Sequence, residues 1–257
     1  MRRNERRIRM LKLFKRDAVT FAVVWIIVYV VVFSAADAVS ESIGYPKILT
    51  VFAGMGMSVV LLFFLLKNRL NNLVGLCKGT GKGKSFLFYI PLLVISSVNF
   101  WHRTPDFFVF DRNFSVVLAV LCMFFVGFLE EIIFRGLLFT SLCKKSVKAA
   151  FVVSSLTFGM GHIINLLTGA DAFDTFMQII YAAAVGFCYT AIFYTGGSIL
   201  PCVASHIFVN ATSEITPTHT DSELVIVTLV QTVLGVAYGC LLLYRNKNSE
   251  KAKACDE

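Results

Sequence analysis

Apolar residues in this chain come in runs of about 20, the length of helix that spans ~30 Å of hydrocarbon. Eight such runs are expected to form spans, at roughly 18–38, 48–66, 85–101, 114–141, 149–167, 176–195, 198–212 and 223–244. Of 257 residues, 57% are hydrophobic and 16% charged, with 25 phenylalanines, far more apolar side chain than a soluble domain of this size needs. The fold class implied is all-α, a polytopic membrane helical bundle of about eight transmembrane helices.

The charges orient it. The first 16 residues hold eight Lys or Arg and continue into an apolar run without a convincing cleavage site, so an uncleaved first span is expected. With the N-terminus inside, twenty Lys or Arg fall on the inner side, and Lys47, Arg103 and Arg112 are the three outside. Both termini are therefore expected to be cytoplasmic. In a soluble chain the net charge of +8 would suggest nucleic acid. Here it is orienting charge in the flanks, and no nucleic-acid partner is expected.

No repeat or low-complexity linker divides the chain. A basic segment (1–17), one membrane domain (18–244) and a cytoplasmic tail (245–257) are expected. Seven cysteines show no paired spacing for a disulfide or zinc framework. Gly235 and Gly239 form a GxxxG pair on the last span, read as close helix packing. The stretch Gly79–Ser85, GTGKGKS, ends like a phosphate-binding loop, but Lys78 stands where the motif needs glycine and no strand precedes it. It reads as a flexible basic cytoplasmic loop.

The informative residues are the polar ones inside the spans. Glu130, Glu131 and Arg135 interrupt an otherwise apolar run. A charge at the centre of a membrane helix costs about 2.5–3.5 kcal/mol on insertion scales, so such residues face the bundle interior and mark a pathway or a reaction site. Glu131 and Arg135, four apart, share a helical face and are expected to neutralise each other. Glu130 is turned by roughly 100° and is left to face something else. Two histidines also lie in apolar stretches: His162, four after Phe158 and three before Asn165, and His206, four before Asn210. At ~1.5 Å per residue, Glu130, His162 and His206 lie roughly 12–20 Å from the inner ends of their spans, a common depth on the cytoplasmic half.

One buried histidine, or one Glu–Arg bridge, is ordinary structure. An acidic residue with two histidines and an asparagine at matched depth points instead to a reaction or ion site. Glu130 with His162 could activate water, while His206 and Asn210 could donate to the oxyanion of a tetrahedral intermediate. An alternative puts Zn²⁺ on Glu130, His162 and His206. Other intramembrane protease designs are absent: no His precedes a Glu, no Tyr-Asp or Gly-x-Gly-Asp occurs, and Gly196-Gly197-Ser198 is followed by Ile199.

Arranged this way, the chain resembles the CPBP family: type II CAAX prenyl endopeptidases and their bacterial Abi, or CAAX protease self-immunity, relatives. That family carries EExxxR, FxxxH and HxxxN on successive membrane helices. All three occur here in order, as Glu130-Glu131 with Arg135, Phe158 with His162, and His206 with Asn210. The likeness extends over roughly residues 85–244. It implies an intramembrane endopeptidase, a hydrolase in which Glu130 and His162 activate water and His206 and Asn210 hold the oxyanion. Glu131, Arg135, Phe158 and Asn165 would support the site. The family is often labelled metalloprotease; a metal-independent glutamate mechanism suits these residues better, so no cofactor is expected, with zinc the alternative. The implied partners are a membrane-associated peptide or protein substrate and the lipid bilayer, and the implied location is a bacterial plasma membrane. Peptide maturation or bacteriocin immunity would be the setting. The readings from other classes are a non-catalytic membrane scaffold or immunity protein, and a proton-coupled transporter using Glu130.

Overall fold

The structure is a computed structural model describing residues 10–102 and 114–255. Among the described residues the helices used below are, in order, α1 (Ala18–Ser42), α2 (Ile48–Lys67), α3 (Ile90–Ser97), α4 (Phe114–Cys143), α5 (Val147–Thr168), α6 (Ala172–Gly196), α7 (Leu200–Ser213) and α8 (Asp221–Cys255). No strand occurs among the described residues. Helix starts follow the sequence. The Asp17 carboxylate accepts from the Val19 and Thr20 amides, Asp171 from those of Phe173 and Asp174, and Ser146 from Ala149. Pro91 and Pro201 open α3 and α7, where a missing N–H costs nothing.

Among the described residues, six helices are long and apolar enough to cross a membrane: α1, α2, α4, α5, α6 and α8. The other two expected spans form shorter helices, α3 with its 3₁₀ flanks covering Phe86–Phe100 and α7 only 14 residues. The α3 segment is nonetheless held at each end. Phe88 at the start of the α3 segment accepts from Tyr238 of α8 at 2.7 Å. At the other end, His102 lies 3.9 Å from Glu223. Those α8 positions are 15 residues apart, roughly 22 Å of helix, so the α3 segment runs antiparallel to most of α8. The α8 helix also continues beyond Tyr244, through the stretch expected as a tail, to Cys255.

Helix α6 is central: 56% of its most apolar stretch is buried, against 22% for α1. It packs along α5 on one side and α8 on the other. The GxxxG pair makes the second contact. A Cβ on Gly235 would stand 2.6 Å from the Ala184 carbonyl oxygen, and one on Gly239 2.5 Å from the Phe187 ring. The outward faces stay apolar, with Ile27, Val31, Phe52 and Phe63 exposed on α1 and α2, a surface suited to lipid rather than water.

The glycine-rich stretch is not the flexible loop expected. Residues Gly81–Lys84 form a 3₁₀ turn docked on the end of α6. The Thr80 amide donates to the Gly196 carbonyl at 2.8 Å, and Tyr89 donates to the Gly83 carbonyl at 2.8 Å. A Cβ on Gly83 would lie 2.3 Å from the Gly196 oxygen, so these glycines serve close backbone approach.

Candidate active site

Helix α4 changes its winding at the acidic pair. Residues Phe114–Glu130 are α-helical, Glu131–Phe139 form a π-helix, and Thr140–Cys143 return to α. Wider turns of this kind are rare and are frequently found at functional sites. Here neighbouring hydroxyls support the π segment's carbonyls: Ser154 of α5 donates to Phe134 at 2.9 Å, Ser141 to Leu137 at 2.6 Å, and Thr140 to Gly136. The ideal 100° separation between Glu130 and Glu131 therefore does not describe this helix, although the division of labour survives the change.

Glu131 and Arg135 form the expected pair, 2.9 Å apart and both completely buried. The pair is a triad. His206 of α7 places Nδ1 2.9 Å from the same Glu131 oxygen. The Arg135 guanidinium lies 3.9 Å from the centre of the Phe158 ring and 5.8 Å from that of Tyr189, a cation held between aromatic faces. Glycines make room for it. A Cβ on Gly186 would stand 2.7 Å from Arg135 Nη2, and one on Gly127 would meet the Ile207 backbone, next to His206, at 3.0 Å.

Glu130, expected to face something other than Arg135, is anchored from α1. Tyr29 Oη donates to its Oε1 at 2.8 Å. The other oxygen, Oε2, lies 3.5 Å from His206 Nε2, too poorly aligned to count as a hydrogen bond. Phe158 organises the histidines: its ring meets the His162 ring edge-on at 5.7 Å and the His206 ring at 5.6 Å. His162 sits where α5 passes from α-helix to a 3₁₀ turn (His162–Thr168). Four residues along α7 from His206, Asn210 is half-buried. Asn165 turns elsewhere: its amide donates to Gln178 of α6 at 2.8 Å, tying the 3₁₀ turn down.

Glu130 Oε2, Glu131 Oε2, Arg135 Nε and Arg135 Nη2 are buried without a hydrogen-bond partner among the described residues. Unsatisfied polar atoms gathered in one place are what a water or a substrate would complete. Among the described residues, the alternative zinc set of Glu130, His162 and His206 does not bring three ligand atoms within 4.8 Å of one another.

Residues 112–212, from the start of α4 to the end of α7, match the family model described as type II CAAX prenyl endopeptidase Rce1-like. Over this segment the chain is similar to the CAAX proteases. No curated protein and no solved structure matches it. The matched segment holds Glu130, Glu131, Arg135, Phe158, His162, His206 and Asn210, and leaves out α1 with Tyr29. Sequence reasoning missed Tyr29, Gly127 and Gly186. Nothing in the spacing links a tyrosine to a glutamate 101 positions away, and a lone glycine in an apolar run says only that something lies close.

Proposed function

We propose that this protein is an intramembrane endopeptidase that hydrolyses a peptide bond of a membrane-associated peptide or protein. The observation that carries the reading is Glu130: one carboxylate oxygen is fixed by Tyr29, and the other, unpartnered, lies beside His206. A carboxylate held in this way is a positioned general base. Water between Glu130 and His162 gives a proton to Glu130 as its oxygen attacks the scissile carbonyl carbon. The carbonyl π electrons move to oxygen, and that oxyanion receives hydrogen bonds from Asn210 and His206. Collapse expels the amine, which takes the proton held by Glu130.

Glu131 and Arg135 fix His206 through Nδ1, and Phe158 sets the spacing of the two imidazoles. Zinc, if bound by Glu130, His162 and His206, would supply a Lewis acid for the same carbonyl. Their present spacing favours the metal-independent course, in which cleavage continues in the presence of chelators. The active site would face the cytoplasmic half of a bacterial plasma membrane.

The test incubates purified wild-type and Glu130→Gln protein with a membrane-peptide library, with cleavage read by mass spectrometry. Loss of a general base typically costs about 10²–10⁴-fold, so Glu130→Gln should leave the library intact while melting as the wild type does. Cleavage by neither protein would support the scaffold reading instead, and equal cleavage by both would remove Glu130 from the role of general base.

A further inference from the structure

The four histidines of the chain fall into two pairs. One pair, His162 and His206, belongs to the site above. The other, His102 and His219, comes together where the end of the α3 segment meets the start of α8, with ring centres 4.4 Å apart. We propose that His102 and His219, with Glu223, form a zinc-binding site separate from the Glu130 centre.

The potential ligand atoms of these three residues lie within 4.8 Å of one another. Zinc holds nitrogen at ~2.0–2.1 Å and carboxylate oxygen at ~2.0–2.2 Å, which sets ligands about 3.4 Å apart in a tetrahedron. His102 Nδ1 to Glu223 Oε2 is 3.9 Å, so that edge closes by roughly half an ångström. Two imidazoles and one carboxylate are a donor set that zinc accepts, with water as fourth ligand.

The surroundings suit ligands. His102 Nε2 is 2.8 Å from the Asn99 carbonyl. A carbonyl only accepts, so Nε2 carries the proton and Nδ1 presents its lone pair toward Glu223. Metal-bound histidines are held by just such an outer carbonyl. Asn99 is itself fixed, its amide donating to Val209 at 2.6 Å and Thr212 at 2.8 Å.

Glu223 is set by Thr220, whose amide and hydroxyl both donate to Oε2 at 2.9 Å. This is a capping box at the start of α8. By itself it would explain the glutamate, but it does not explain two histidines beside it. Both His219 nitrogens are buried without a well-aligned partner among the described residues, the Val98 backbone offering only a weak contact. Zinc here would staple the α3 segment to α8, next to the Asn99 link that reaches α7.

The experiment strips the full-length protein with chelator in detergent, adds zinc chloride, removes the excess, and measures metal content and melting temperature. Wild type should hold one zinc per chain and melt higher with it, and Glu130→Gln should do the same. Even an outer partner of a metal ligand is worth 10–100-fold in affinity; His219→Ala should therefore bind at least ~100-fold more weakly while melting like metal-free wild type. Glu223→Gln keeps the cap and should lose the zinc as well, which covers the case of a poorly folded histidine variant. Metal-free wild type after zinc addition would overturn the site. So would zinc retained by His219→Ala and Glu223→Gln, or zinc lost in Glu130→Gln, which would place it at the other centre.

Discussion

Three side chains decide whether the acidic pair is a liability or a device. Glu131 has two partners, Arg135 and His206, whereas the Arg135 guanidinium has one carboxylate and two aromatic faces. Breaking a buried pair by removing one member typically costs about 3–5 kcal/mol. The connectivity makes the two deletions unequal. Arg135→Ala leaves Glu131 bonded to His206, while Glu131→Ala strands both a buried cation and an imidazole. Glu131→Ala should therefore show the lower melting temperature and expression, with the double substitution milder than the sum. Equal losses would mean that His206 contributes nothing to holding Glu131. Tyr29→Phe removes one hydrogen bond to Glu130 and nothing else. It should lower kcat about 10-fold, worth ~1.4 kcal/mol, with KM and melting temperature unchanged. A rise in KM alone would move Tyr29 from positioning the base to binding substrate.

The helices were legible from apolar run length, and all eight lie within a few residues of their expected positions, apart from the extended ends of α1 and α8. The three motifs also fell on the helices that bring them together. What could not be read was winding and partnership. A π segment differs from an α segment in which carbonyl each amide finds, and the serine that supports Phe134 sits on another helix, twenty residues on. Likewise GxxxG announced a close contact, but only the fold shows that it is with α6. At that contact Gly235→Ala sets two effects against each other. Alanine gains about 1 kcal/mol of helix propensity over glycine, while its Cβ lands 2.6 Å from a backbone oxygen that cannot swing aside. Overpacking of this kind costs about 1–3 kcal/mol, so net destabilisation is expected in a melting curve. A stabilised variant would show that α6 and α8 can part without loss.

Orientation is the question at the scale of the molecule, and the short α3 decides it. If the α3 segment carries the chain across, Lys144–Lys148 lies inside and Asp171 outside, in keeping with the charge asymmetry. If α3 and α7 both turn back, those two loops exchange sides while both termini stay where they are. The contacts at Phe88 and His102, some 22 Å apart along α8, favour crossing. Reporter fusions near Asp171 should therefore score external, and fusions after Tyr244 and within Lys67–Lys84 cytoplasmic. A cytoplasmic score at Asp171 would turn the crossing model over.

The Tyr29–Glu130 link has a bearing on descent as well as on rate. Helix α1 lies outside the segment that the family model matches, yet it hands a hydroxyl to Glu130 inside that segment. Selection acting on Glu130 therefore reaches back to α1. Among descendants that keep this arrangement, position 29 should change together with its neighbours on α2 and α4, not drift as a lipid-facing residue does. Lineages that replace α1 should show a new donor arriving from another helix.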